Sequence, residues 1–189
     1  MPEKINKEII QNYDLYKKVK RATKRLKSEQ IVLVENLNHK VGNEKTEPVT
    51  SSELTDIDLK IMADKSILGR YQFHLRSKSI CQQPFFRFDA SGLTHRNKSS
   101  NTPLSLQQVT TPHFQYYDET GVNTAYKTEE LKDTTSIDKI LTDINYGMSL
   151  FCNESITFTE RNNVPNIIRN GGEIFPVVEL DPLNNIKFE

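Results

Sequence analysis

Between residues 56 and 97, hydrophobic and polar positions alternate with a period of two. Ile57, Leu59 and Ile61 alternate with Asp58 and Lys60, Tyr71, Phe73 and Leu75 with Gln72, His74 and Arg76, and Phe86 and Phe88 with Arg87 and Asp89. This alternation predicts antiparallel strands with one buried and one polar face. The run "HFQYYDETGVNTAYKTEEL" predicts a further hairpin turning at "DETG", and the β-branched run Ile31–His39 predicts another strand. Elsewhere the period lengthens. Ile5, Ile9, Ile10, Tyr13, Tyr16, Val19 and Ala22 recur at helical steps and predict a helix over residues 3–28. Ile137, Ile140, Leu141 and Ile144 predict a second helix over Thr135–Cys152. The polar stretch "VGNEKTEPVTSSEL", with Gly42 and Pro48, predicts a loop, and the Ser/Thr/Asn-rich residues 98–112 predict another. From Asn153 onward, Pro165, Gly171, Gly172, Pro176 and Pro182 predict an irregular tail with a short strand at "IFPVVEL". The expected class is α+β: an N-terminal basic helix, a mostly antiparallel β-sheet, one later helix packed on it and an irregular C-terminal tail. Residues 1–155 are expected to form one domain and 156–189 an extension.

Charge changes this picture in one respect. The 189 residues carry no formal net charge, yet residues 1–28 hold nine Lys/Arg against three acids, while residues 115–189 are acidic. Seven of the cations fall between Lys17 and Lys27. Lys17, Lys20, Arg21, Lys24 and Arg25, with Arg76 and Asn97 on the predicted sheet, are therefore candidate binding residues for nucleic acid or for an acidic protein surface. The alternative is a solvated helix face that complements the acidic half within the fold. No apolar run approaches membrane-spanning length, and no signal-peptide pattern opens the chain. A soluble cytoplasmic protein is the expectation. Cys81 and Cys152 form no metal or disulfide spacing.

Candidate chemistry concentrates on the polar strand positions and the adjoining "THRN" turn. Arg70, Gln72, His74, Arg76, Arg87, Asp89, His95, Arg96, Asn97 and His113 all fall there. Two histidines can divide metal-independent RNA cleavage, one accepting the 2′-hydroxyl proton and the other protonating the leaving 5′-oxygen. In that reading His95 and His113 form the acid–base pair, Arg87 and Arg96 clamp the phosphate, and Tyr71 stacks or positions. A plainer reading makes the same residues an ordinary polar sheet face. His95, His113 and Asp89 could also form a two-histidine, one-carboxylate metal site, though the spacing does not favour it. With no phosphate-cradling glycine loop or dinucleotide fingerprint, no cofactor is expected.

The residues "RYQFHLRSK … FFRFDASGLTHRN … TPHFQYYDETGVNTAY … LFCN" resemble an uncharacterised family of small bacterial, prophage and plasmid proteins. Its pattern is carried here by Tyr71, Gln72 and Arg76, then by Arg87, Asp89, Gly92, His95 and Asn97, then by Pro112, His113 and Tyr117, and finally by Cys152 and Asn153. The chain departs from it at Gln115, where the family has a second histidine, and in "NKSSNTP", which lacks the family's turn. The resemblance implies a mobile-element or phage accessory protein of toxin–antitoxin or anti-defence type, acting by binding a macromolecular partner. That partner is a protein or a nucleic acid, RNA rather than DNA, with a homodimer as a further arrangement. The alternative is the histidine-pair ribonuclease.

Overall fold

A computed structural model describes residues 5–35, 42–97 and 107–169. The chain opens with α1 (Lys7–Gln11) and α2 (Tyr13–Arg21), then β1 (Lys24–Leu26), β2 (Gln30–Glu35), β3 (Gly42–Ser51), β4 (Ile57–Asp64), β5 (Tyr71–Ser77) and β6 (Cys81–Asp89). A small ribbon of β7 (His95–Arg96) and β8 (Gln108–Val109) precedes the hairpin β9 (His113–Tyr117) and β10 (Asn123–Tyr126). The helices α3 (Thr134–Thr142) and α4 (Ile144–Ser155) follow, then β11 (Thr157–Thr159) and β12 (Asn166–Arg169). Among the described residues the main sheet has ten strands in the order β10-β9-β6-β5-β4-β3-β1-β11, with β2 on β3 and β12 on β2. Its pairings are antiparallel except β1 with β11 and β2 with β12. The α+β class is as the alternation predicted.

Four local expectations are corrected. The N-terminal helix does not run to residue 28. It breaks at Asn12, which caps α1 at its C-terminus and precedes α2, and it ends at Arg21. Lys24–Leu26 instead pairs with β3 and β11, because burying Lys24 and Leu26 in the sheet outweighs local helix preference. The predicted loop with Gly42 and Pro48 is the long strand β3. Only Asn43 and Val49 are buried on it, so its alternation is weak in sequence. β2 pairs with residues 43 and 44, and β1 with residues 49–51, so Pro48 faces β4 alone and its missing N–H leaves no gap in a ladder. The later helix is two: Asp143 ends α3 and caps α4, its side chain accepting from Asn145 N at 2.8 Å. The domain also continues past residue 155, since β11 and β12 join the same sheet. The expected strand at "IFPVVEL", the end of the Ile31–His39 strand and most of the 98–112 excursion lie outside the described residues.

The core lies between the sheet and α4. Phe73, Phe88 and Phe114 stack in cross-strand register, and Phe151 of α4 meets Phe73 at 5.4 Å and Phe86 at 5.8 Å between ring centres. A Cβ on Gly147 would sit 2.0 Å from Tyr71 Oη, so α4 approaches β5 only through a glycine. The buried Lys24 ammonium donates to the carbonyls of Lys20, Ala22 and Ser155, closing the carbonyl ends of α2 and α4 together. No helix among the described residues is long and apolar enough to cross a membrane.

Candidate functional site

The polar positions of β5, β6 and β9 share one face, opposite the helices. Cross-strand register sets Arg87 beside both His74 and Gln115, and Asp89 beside both Gln72 and His113. Strand alternation alone brings these side chains together. Asp89 is nearly sealed from solvent. Its carboxylate accepts from Arg87 Nε at 2.8 Å and Gln115 Nε2 at 2.6 Å, with His113 Nε2 at 3.4 Å. Burial works to raise its pKa, but hydrogen bonding from His113 and Arg87 outweighs that and holds the carboxyl below its usual range. Gln115 Nε2 also lies 2.9 Å from His113 Nε2, and His113 Nδ1 lies 3.3 Å from the Thr110 carbonyl. The two N–H groups of the Gln115 amide thus face Asp89 and His113 together, and both ring nitrogens of His113 have partners. Buried polar groups are costly unless fully partnered, and here they are partnered.

The turn after β6 carries β7 over this network. His95 Nε2 lies 3.2 Å from the Asn123 carbonyl, and Asn97 brackets Ala125, accepting from its N–H at 2.8 Å and donating to its carbonyl at 2.7 Å. β10 is an edge strand, and its outward backbone groups repeat every second residue. The spacing of His95 and Asn97 matches that repeat, so "HRN" seals the sheet edge. Asn145 of α4 does the same for β12, bonding Ile167 N and O at 2.6 and 3.1 Å.

A recess of about 420 Å³ remains between the turn and the sheet, lined among others by Arg70, Gln72, Arg87, Asp89, His95 and Gln115. His95 is half-buried there; burial lowers its pKa, partly offset by the Asn123 carbonyl. Its Nε2–H is committed to that carbonyl, so Nδ1 is the nitrogen left to accept a proton.

The expected site residues separate on this geometry. His95 and His113 do converge, their rings 6.1 Å apart, but His113 is only 1% exposed and both its nitrogens are engaged. Arg87 lines the recess. Arg96, on the other side of β7, bonds Gln107 and does not line it. Tyr71 is on the helix-facing side, buried, its hydroxyl donating to the Ile140 carbonyl at 2.8 Å, so it cannot stack on a ligand held by Arg87. Among the described residues no three His, Cys, Asp or Glu side chains are grouped to hold a metal ion. Of the basic set, Lys24 is internal and Arg25 is bound to Thr159 and Asn162. Lys20 lies over the Tyr116 ring at 3.9 Å, and Lys17 pairs with Asp14. Arg21 is exposed, and Arg76 lies exposed at the far end of β5 with Nη2 on the Gln82 carbonyl. The role of Gln115 was hidden because a neutral amide carries no chemical signal, although its two-residue spacing from His113 marks the shared face. No protein-family model, no curated protein and no solved structure matches this chain.

Proposed function

We propose that the protein acts by binding a macromolecular partner at this recess, and that the partner is a single-stranded RNA seated by a phosphate group. The observation that carries the reading is that Arg70, Arg87 and His95 line one recess whose floor is fixed by the Asp89–Gln115–His113 hydrogen bonds. Guanidinium groups present forked donors that suit phosphate oxygens, and Arg87 commits only Nε to Asp89 among the described residues. The mobile-element setting, of toxin–antitoxin or anti-defence type, belongs to the same proposal.

A second reading, RNA cleavage, is favoured by one feature: Nδ1 of His95, which has no hydrogen-bond partner among the described residues. Burial keeps this imidazole neutral near pH 7 and so able to accept the 2′-hydroxyl proton. The 2′-oxygen then attacks phosphorus, and the departing 5′-oxygen takes its proton from water, because His113 is enclosed. Catalysis would thus rest on His95 with Arg87, not on two histidines.

One experiment tests both readings: titration of the purified protein into labelled single-stranded RNA in EDTA, at several salt concentrations, with RNA length followed. Binding that weakens with salt and falls about tenfold in Arg87→Ala supports the seat. Cleavage lost in His95→Ala and retained in His113→Gln adds the second reading. RNA neither bound nor cut contradicts both.

A further inference from the structure

A second surface stands where the turn between β4 and β5 meets the end of α3. Ile67 and Leu68 of that turn are exposed, and so is Leu141 of α3. They form one apolar patch. A Cβ on Gly69 would meet the Leu141 carbonyl at 2.7 Å and Leu141 Cδ2 at 3.0 Å, so the helix lies directly on the turn. Arg169 reaches the same place from β12. Its Nη2 donates to the Leu68 carbonyl at 2.6 Å, while its Nε is buried and has no hydrogen-bond partner among the described residues. A buried donor left without an acceptor is costly, and an arginine charge makes it more so. The acids around it are already committed. Asp64 accepts from Ser66 N at 2.8 Å, Ile67 N at 3.1 Å and Arg70 Nη1 at 3.4 Å. Asp143 accepts from Asn145 N, and Glu35 pairs with Lys65. The corner thus offers one guanidinium with an unmet donor beside three exposed apolar side chains. What fits it is a carboxylate with apolar residues next to it.

Arg169 is the last described residue, and the chain goes on from it as Asn170, Gly171, Gly172, Glu173, Ile174 and Phe175. That is a carboxylate followed by two large apolar side chains, four positions beyond the unmet donor. Two glycines stand between them, and glycine admits the backbone angles that a tight reversal needs. The loop to be closed is short, so its entropic cost is small. A separate partner would pay the full cost of association for the same contacts. A nucleic-acid strand suits the corner poorly, because a single guanidinium ringed by apolar side chains gives it no second phosphate contact. We infer that this corner is the docking site for the chain's own residues 173–175. The Glu173 carboxylate takes the Arg169 guanidinium, and Ile174 with Phe175 covers Ile67, Leu68 and Leu141. The inference is independent of the recess and of what the recess binds.

The test is backbone amide NMR of the full chain carrying Val177→Cys, with a nitroxide on that thiol and each variant checked for folding by thermal melting. Cys81 and Cys152 are buried and so are shielded from the label. The amide signals of Ile67, Leu68, Gly69 and Leu141 should be broadened and lost. They should return when Glu173→Gln and Phe175→Ser are added, although neither change touches the labelled position. Signals that stay sharp in the first chain overturn the docking site. Broadening that persists with Glu173→Gln and Phe175→Ser overturns the assigned contacts. A mixture of isotope-labelled chains without nitroxide and unlabelled chains with it should show no broadening. If it does, the corner takes the tail of a second copy, and docking within one chain is overturned.

Discussion

The strands β5, β6 and β9 carry two faces built in opposite ways. Toward α4, Phe73, Phe88 and Phe114 stack across the strands. Their contacts are non-directional, and close packing with Phe151 is enough to stabilise them. On the reverse, one residue along, stand His74, Arg87 and Gln115, with Asp89 and His113 beside them. These are also mostly buried, but each needs a partner at a defined distance and angle. The first face would be satisfied by many apolar sequences. The second is satisfied by few, and burying it contributes little net stability. The carboxylate sealed under the turn fixes Arg87 through its Nε, while His95 is fixed separately by the Asn123 carbonyl.

The largest effect should come from breaking the apolar face. Phe88→Ala should cost about 3–5 kcal/mol in denaturant unfolding, and Gly147→Ala should be comparably severe, because its Cβ would meet Tyr71 Oη. On the polar face, Asp89→Ala leaves Arg87 and Gln115 without their acceptor and should cost about 3 kcal/mol. Unlike Phe88→Ala, it should also abolish RNA binding under conditions where the variant remains folded.

Acid sharpens the contrast. Burial, and then the Arg87 charge, lowers the His74 pKa from 6.5 to about 4, so the folded chain binds that proton less readily than the unfolded chain. The stability gained by keeping His74 neutral is complete above the unfolded pKa and is lost as pH falls from 6.5 through 4. The full effect is about 3 kcal/mol. Unfolding midpoints between pH 7 and 4 should therefore fall more steeply for wild type than for His74→Gln. Equal slopes would contradict the account. The smallest effect is at the edges: Asn97→Ala and Asn145→Ala should each cost about 1–2 kcal/mol, through two lost hydrogen bonds to one strand residue. Only Asn97→Ala should also disturb the recess.

The same contrast explains what could be read from sequence. Period-two alternation marked β4, β5 and β6 because each buries every second residue in a common core. β3 escaped because its outer positions are polar on both sides and its Pro48 reads as a breaker, and only the gap between its neighbours β1 and β2 makes that proline tolerable. Lys24 read as one more cation of a basic helix. Its burial depends on the carbonyl ends of α2 and α4, which come together only in the fold. The residues of "THRN", alike in their polar character, divide by neighbours that alternation does not reveal. His95 faces the recess, Arg96 faces away, and Asn97 closes the edge of β10. Tyr71 followed the alternation onto the helix side, away from the polar residues it was grouped with by type.

The central claim is that ligand binds the polar face and not the basic surface of α2. Backbone amide NMR during titration with a single-stranded RNA tests it directly. The proposed seat predicts shifts clustered at Arg70, Gln72, Arg87 and His95. Shifts confined to Lys17, Lys18 and Arg21, or no shifts at all, would contradict it.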